Sequence, residues 1–89
     1  MKNIDELDES FTQSLYITIG RNVKYLRESR NYSQLALSQA IGYKSVTMIS
    51  CCEICYKNYH FNIEHLNKIA YILDVDICEF FKPSSNWVY

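Results

Sequence analysis

The 89 residues of this chain suffice for one compact domain with a hydrophobic core, but not for two. Hydrophobic residues make up 48% of the chain, with two glycines and one proline, so a long disordered stretch is not expected. No apolar run approaches the roughly 18 residues that a membrane span needs, and the acidic N-terminus lacks the pattern of a secretory signal, which predicts a cytoplasmic protein without a membrane partner.

The net charge of −1 conceals an uneven distribution. Residues 1–20 carry a net charge of −3, residues 21–57 one of +4 and residues 58–89 one of −2. A basic middle between acidic ends suits a protein with one surface that faces phosphate. An ordinary mixed surface fits the charges alone equally well.

The first predicted element is a long helix, because apolar residues recur in steps of four and three between residues 11 and 26. They are Phe11, Leu15, Ile19, Val23 and Leu26. Ser10 followed by Gln13 resembles a capping box, so the helix is expected to begin near residue 10. Asn31 tolerates the left-handed conformation and is the expected end.

Two short helices are expected next, joined by a turn that contains glycine. Ser33 is the expected N-cap of the first helix, and Gly42 is its expected C-terminal residue with positive φ. Ser45 is expected to cap the next helix, at about residues 45–55. Helix, turn and helix then have the proportions of a DNA-reading helix-turn-helix, although many other helical hairpins share them.

The remaining chain predicts two further helices and a tail. Asn62 is the expected N-cap of a fourth helix, and Asp76 with Glu79 resembles a capping box that opens a short fifth helix before Pro83. The chain is therefore expected to be an all-α bundle of five helices. Its parts are an acidic N-terminal segment at 1–9, a helical domain at 10–82 and a C-terminal tail at 83–89.

Several motifs stand in a fixed order between about residues 19 and 81. They are IGRNVKYLRESR, the pair Ser33-Gln34, Ile49-Ser50 with Glu53, and IEHLNKIAYILDVDICEFF. In this order they resemble the Cro/cI-like family of helix-turn-helix regulators, also called the XRE family. The resemblance implies a lambda-repressor-like domain with an extended first helix. It also implies sequence-specific binding to double-stranded DNA, transcription regulation (commonly repression) and a homodimer.

The chain departs from this family in its reading helix. It has one residue more between Gly42 and Glu53 than the commonest spacing, which resembles a subtype with a longer turn. The loop after this helix is also about two residues longer. The helix is poor in Arg, Gln and Asn, the usual base readers. Discrimination between bases is therefore expected to rely on small polar side chains, on thymine methyl groups and on DNA shape.

The expected DNA-binding surface follows from turning Ile49 and Cys52 towards the core. The surface comprises Arg21, Ser33, Gln34, Lys44, Ser45, Val46, Thr47, Ser50, Cys51 and Lys57. Lys44 and Ser45 stand at the entrance of the reading helix, where backbone N–H groups also attract phosphate. Arg21 and Lys57 are expected to neutralise phosphates at the edges of the footprint.

Four further residues carry expectations about contacts. By resemblance, Gln34 bonds a phosphate and braces the reading helix, with an exposed first-turn residue as the alternative. By resemblance, Glu53 forms an internal ion pair and is structural rather than catalytic. Arg27 and Arg30 are either further phosphate neutralisers or solvated charges of the first helix.

Two surfaces remain open for dimer formation. One is a C-terminal aromatic cluster of Phe80, Phe81, Trp87, Val88 and Tyr89, unless these side chains pack within the chain. The other is the first helix, through Phe11 or Tyr16.

Cys51, Cys52, Cys55 and Cys78 raise the question of a metal or redox site, because Cys52 and Cys55 form a CxxC pair. Packing of small apolar side chains is the favoured interpretation, so neither a metal nor another cofactor is expected. A sensing repressor that uses these thiols is a lesser alternative.

An enzyme is not expected, because the chain has no paired carboxylates, phosphate-binding glycine loop or nucleophile–base pair. The main alternative to DNA binding is a regulator, such as an antitoxin, that uses the same fold to bind a protein partner.

Overall fold

The structure is a computed structural model and describes residues 2–83. These residues form four α-helices: α1 (Glu9–Ser29), α2 (Gln34–Ala40), α3 (Thr47–Glu53) and α4 (Ile63–Leu73). Three short 3₁₀ helices accompany them, at Ile4–Glu6, Tyr56–Asn58 and Ile77–Phe81. No strand occurs within residues 2–83, which confirms the all-α prediction for this part of the chain.

Helix α1 begins one residue earlier than expected, because Asp8 and not Ser10 is its N-cap. The Asp8 carboxylate accepts a hydrogen bond from the backbone N–H of Ser10 at 2.9 Å. A carboxylate at this position also interacts favourably with the positive end of the helix dipole. At the other end, Asn31 has φ of 63°, which confirms that it terminates the helix in the left-handed conformation.

The segment expected as a fifth α-helix is the 3₁₀ helix Ile77–Phe81. Asp76 caps it by accepting from the N–H of Cys78 at 2.9 Å, so the expected capping box with Glu79 is not formed. The buried Asn22 amide donates to the carbonyl oxygens of Phe80 and Lys82, both at 2.8 Å. These bonds satisfy two carbonyls at the C-terminal end of the segment, which would lack an intrahelical partner in any helix, and they tie the segment to α1.

The core lies between the C-terminal half of α1 and the other helices. Its buried side chains are Ile19, Val23, Leu37, Ile41, Ile49, Cys52, Phe61, Leu66, Ile69, Ala70, Leu73 and Phe80. None of residues 2–18 is buried, so the first half of α1 projects beyond the core and the molecule measures 45 × 26 × 24 Å. Within residues 2–83, no helix is long and apolar enough to cross a bilayer.

Candidate nucleic-acid interface

Serine side chains hold the start of α2 and the end of the turn that joins α2 to α3. Ser33 caps α2 by accepting from the N–H of Ala36 at 3.0 Å, and Gly42 has φ of 99°, so both predictions are confirmed. The hydroxyl of Ser38, which is fully buried, donates to the carbonyl oxygen of Ser45. This bond fixes the end of the turn to α2.

Helix α3 is shorter than the predicted reading helix, since it begins at Thr47 and ends at Glu53. Its N-cap position is occupied by Val46, whose side chain makes no capping bond. The hydroxyl of Ser45 instead accepts from the N–H of Thr47 at 3.3 Å. The first backbone bond of α3 runs from the N–H of Ser50 to the carbonyl oxygen of Val46 at 3.0 Å. Lys44, Ser45 and Val46 therefore lie in the turn.

The exposed side of α3 carries small polar side chains. Ile49 and Cys52 face the core with 0% and 3% of their surfaces exposed, as the sequence predicts. Thr47 is exposed, while Ser50 and Cys51 are half-buried. The Ser50 hydroxyl donates to the carbonyl of Thr47 at 3.2 Å, so Ser50 can offer a ligand a hydrogen-bond acceptor while that bond is kept.

The C-terminal end of α3 is held by a buried ion pair. Glu53 is 3% exposed, and both of its carboxylate oxygens accept from the Arg27 guanidinium, at 2.7 and 3.1 Å. Gln34 donates to the same carboxylate at 2.9 Å, which links the first residue of α2 to the last residue of α3. The structural role expected for Glu53 is confirmed.

Two further arginines at the C-terminal end of α1, Arg27 and Arg30, donate to groups of the domain itself. Arg27 is 6% exposed and also donates to the carbonyl of Tyr32 at 2.8 Å, so it is neither a phosphate neutraliser nor a solvated charge, and both expectations are wrong. Arg30 donates to the carbonyl of Leu73 at 2.9 Å, at the end of α4. Because this carbonyl closes a helix, the arginine charge there tethers α1 to α4.

Gly20 allows α3 to lie directly against α1, a role that the sequence analysis missed. A Cβ atom at this position would stand 2.6 Å from the carbonyl oxygen of Glu53 and 2.8 Å from that of Cys52. Side-chain atoms do not approach so closely without a shift of the backbone. The signal that could have revealed this contact is a glycine inside a helical stripe, where it otherwise costs stability.

Three exposed cations flank α3. Lys44 precedes its first turn, whereas Arg21 and Lys57 lie beyond its last turn. The positive charge of Arg21 acts on the thiol of Cys55, which places it near the end of α3. The ammonium group of Lys57 lies 5.4 Å from the centre of the Tyr56 ring. Lys44 thus precedes α3, and Arg21 and Lys57 lie near the residues that follow it.

Comparisons of the chain with models of known protein families, with curated proteins and with solved structures found no match.

The turn before α3 is also bonded to α4, through His65. The Nδ1 atom of His65 accepts from the backbone N–H of Asn62 at 3.1 Å, and Asn62 accepts from the N–H of His65 at 2.8 Å, which makes a reciprocal capping box. Since Nδ1 accepts, the proton of the neutral ring is on Nε2, which lies 3.1 Å from the hydroxyl of Tyr43. Partial burial lowers the pKa of His65 and favours this neutral form.

The raised pKa values of the Cys52 and Cys55 thiols favour packing over redox chemistry. Burial, with the neighbouring Cys51 and Cys55, raises the pKa of Cys52 to about 11. Burial likewise raises the pKa of Cys55. A protonated thiol is a poor nucleophile and a poor metal ligand. Within residues 2–83, no group of three or more His, Cys, Asp or Glu side chains is arranged to hold a metal ion.

The two candidate dimer surfaces differ in exposure. Phe80 is fully buried and packs within its own chain, while Phe81 is 37% exposed. The remainder of the C-terminal aromatic cluster lies outside the described residues. Phe11 is 60% exposed on α1, whereas Tyr16 stacks on His60 with ring centres 3.8 Å apart and is therefore engaged within the chain.

Proposed function

We propose that this protein is a sequence-specific regulator of transcription that binds duplex DNA as a homodimer and represses by occupying its site. The proposal rests on the way the two ends of α3 are held in the domain. Its last residue, Glu53, is buried in an ion pair, while its first residue, Thr47, and the preceding Lys44 and Ser45 are exposed. A short helix held in this way suits insertion into a major groove about 12 Å wide.

The proposed contacts divide into those that position the protein and those that read bases. Lys44, Arg21 and Lys57 neutralise phosphates at the two ends of α3. Thr47 presents a hydroxyl and a methyl group to base edges, and Ser50 presents an acceptor oxygen. Because these contacts are few, shape and deformability of the DNA contribute to specificity.

The remaining residues of the surface support these contacts. Ser33 and Gln34 start α2, where Gln34 braces Glu53 through its amide and keeps its carbonyl oxygen available. Ser45 and Val46 shape the turn, and Cys51 offers an apolar contact beside the Ser50 hydroxyl. We propose a binding role and not a catalytic one for this surface.

Fluorescence anisotropy on duplexes selected from a random pool tests the proposal. Between about 50 and 200 mM salt, the affinity should fall steeply, because bound phosphates release counterions. Lys44→Ala should lower the magnitude of the salt slope by about one on selected and scrambled duplexes alike, and Thr47→Ala should change the preference between them. Lys68→Ala is the matched control, since this lysine lies on α4 beside Glu64 at 3.3 Å.

The absence of salt-dependent binding to any selected duplex would refute the proposal. A protein-binding regulator would then be favoured, and one observation supports that alternative. Three large apolar side chains are exposed directly after α3: Ile54 by 68%, Tyr56 by 49% and Tyr59 by 58%. If this patch binds a protein, Ile54→Ser with Tyr59→Ser should abolish the regulatory activity in cells while leaving any duplex affinity unchanged.

A further inference from the structure

Ser38 is a serine at a position where alanine would suit both the helix and the core. It lies inside the seven-residue helix α2 and has 0% of its surface exposed. Serine is a weaker helix former than alanine, and a buried hydroxyl needs a hydrogen-bond partner. A serine inside a helix usually faces solvent or bonds the carbonyl oxygen four residues earlier. The Ser38 hydroxyl instead donates to the carbonyl oxygen of Ser45, outside its own helix.

Ser38 holds the backbone on both sides of Lys44. Its carbonyl oxygen accepts from the N–H of Tyr43 at 2.9 Å, and its hydroxyl donates to the carbonyl oxygen of Ser45. The first of these bonds belongs to the Schellman motif that ends α2 at Gly42. The second bond lies outside this motif and depends on the Ser38 side chain alone.

The side chain of Tyr43 attaches the turn at a third point. Its ring is half-buried and packs against the core, and its hydroxyl lies 3.1 Å from Nε2 of His65 on α4. Lys44, between these attachments, is exposed. The backbone is therefore bonded at both neighbours of Lys44, while the lysine itself faces solvent.

An ordered backbone at an exposed lysine favours contact with phosphate. Ordering the backbone of one residue costs enough entropy to change an equilibrium constant by about tenfold. If the ordering took place on binding, this cost would lower the affinity. A segment that is ordered before the ligand arrives avoids that loss.

We propose that Ser38 is a positioning residue for the contact between Lys44 and a DNA phosphate. Its hydroxyl orders the turn before DNA binds, through the carbonyl oxygen of Ser45. Ser38 is itself buried and touches neither phosphate nor base. The inference rests on the proposed function, because the phosphate contact of Lys44 is part of it.

Backbone order in the chain without DNA tests the first half of this proposal. In the wild type, NMR relaxation of the amides of residues 44–46 should give order parameters near about 0.85, the value for rigid backbone. Ser38→Ala should lower them towards the about 0.6 of flexible backbone and leave those of α4 unchanged. Ser29→Ala is the matched control, since its hydroxyl donates to the carbonyl oxygen of Leu26 at 2.8 Å, at the end of α1. Unchanged order parameters in Ser38→Ala would overturn the proposal.

Ser38→Cys provides a second variant at the same position. The thiol fills the space of the hydroxyl but is a weak hydrogen-bond donor, so the order parameters of residues 44–46 should fall by less than in Ser38→Ala. Circular dichroism verifies that each variant keeps its helices. If Ser38→Ala does not fold, a folded Ser38→Cys with the order parameters of the wild type would overturn the proposal.

Fluorescence anisotropy on selected and scrambled duplexes tests the consequence for DNA. Ser38→Ala should weaken binding to both by about tenfold, because a phosphate contact carries no sequence information. In a Lys44→Ala background, the same change should weaken binding by less than about threefold, because the contact that uses the ordered turn is already lost. A loss that only reflects lower stability would be equal in the two backgrounds and would overturn the positioning role.

The two measurements separate this proposal from the proposed function. Duplex binding that depends on salt and is unchanged in Ser38→Ala would refute the positioning role and keep the proposed function. A turn that loosens in Ser38→Ala, in a chain that binds no selected duplex, would refute the proposed function and the phosphate role of the turn together. Ser38 would then order the turn without serving DNA.

Discussion

The C-terminal end of α3 is held by a buried ion pair and by direct backbone contact with α1, whereas its N-terminal end is held by the hydroxyls of Ser38 in α2 and Ser45 in the turn. At the first end, Glu53 and Gly20 each meet a neighbour with no free space. At the second end, both hydroxyls bond to the backbone, and the side chains of Lys44, Ser45 and Thr47 are exposed. Substitutions at these exposed positions should therefore cost less stability than substitutions at the buried end.

The largest expected effect on the free energy of unfolding comes from removing the ion pair at the C-terminal end of α3. Glu53→Gln should lower the free energy of unfolding by about 3 kcal/mol, because it leaves the buried Arg27 without a countercharge. Urea denaturation measures the change. Glu64→Gln is the matched control, since Glu64 is exposed beside Lys68, and it should cost less than about 0.5 kcal/mol. Similar losses from both variants would contradict the role assigned to the buried pair.

Stability should be nearly as sensitive to the backbone contact between Gly20 and α3. Gly20→Ala should destabilise by about 2 kcal/mol, because the added methyl group displaces α3, and this outweighs the roughly 1 kcal/mol that alanine contributes to a helix. The comparison variant is Gly42→Ala, where a Cβ meets nothing within 4 Å but φ is 99°. If α3 is the element displaced, Gly20→Ala should alter hydrogen exchange in α3 and Gly42→Ala should not.

The stability of the protein should depend on pH through His65, which contacts Tyr43 in the turn before α3. Its pKa is lowered in the folded state by burial, so the unfolded chain binds the proton first as the pH falls. Stability should therefore be full above about pH 6.5, the ordinary pKa of histidine, and decrease as the pH falls below it. His65→Gln keeps an acceptor for the Asn62 N–H and should remove this part of the pH dependence in thermal melts. An unchanged profile in this variant would mean that another group is responsible.

The loop after α3 should accept a stabilising change. Lys57 is exposed and has φ of 49°, a left-handed conformation that costs a residue with a side chain about 1 kcal/mol. Lys57→Gly should therefore raise the free energy of unfolding by about 0.5 kcal/mol. Lys68→Gly, at an exposed position inside α4, should lower it by about 1 kcal/mol. Chemical denaturation should therefore show changes of opposite sign in the free energy of unfolding of the two variants.

The smallest effect on stability should come from the exposed end. Thr47→Ala should change the free energy of unfolding by less than about 0.5 kcal/mol, because Thr47 is exposed and its side chain is not buried against any element. The same variant should alter the sequence preference in the duplex-binding assay. A large loss of stability here would contradict the contrast between the two ends of α3.

The helices were largely predictable because each has a local signal. Apolar spacing marked α1, and Ser33, Gly42 and Asn62 were correctly assigned as caps or ends. The errors lay where two residues compete for one role. Asp8 and Ser10 can both cap α1, and a sequence pattern does not show which backbone N–H each of them reaches.

Contacts between distant elements were the part that the sequence could not supply. Arg27 has the same local surroundings as a solvated helix charge, and its partner Glu53 is 26 residues away. The resemblance to a known family indicated a role for Glu53 without naming the arginine. Gly20 and Asn22 were missed for the same reason, because each acts on backbone atoms of a remote segment.

The bonds of Asn22 also bear on how the chain folds during synthesis. Its amide donates to the carbonyl oxygens of Phe80 and Lys82, which are 58 and 60 residues further along the chain. These bonds cannot form until that stretch has been synthesised. A ribosome that adds about 5 to 20 residues per second needs roughly 3 to 12 seconds to make that stretch. During that interval the site on α1 that will receive Phe80 is uncovered. The site on α1 is therefore enclosed only after residues 77–82 have left the ribosome.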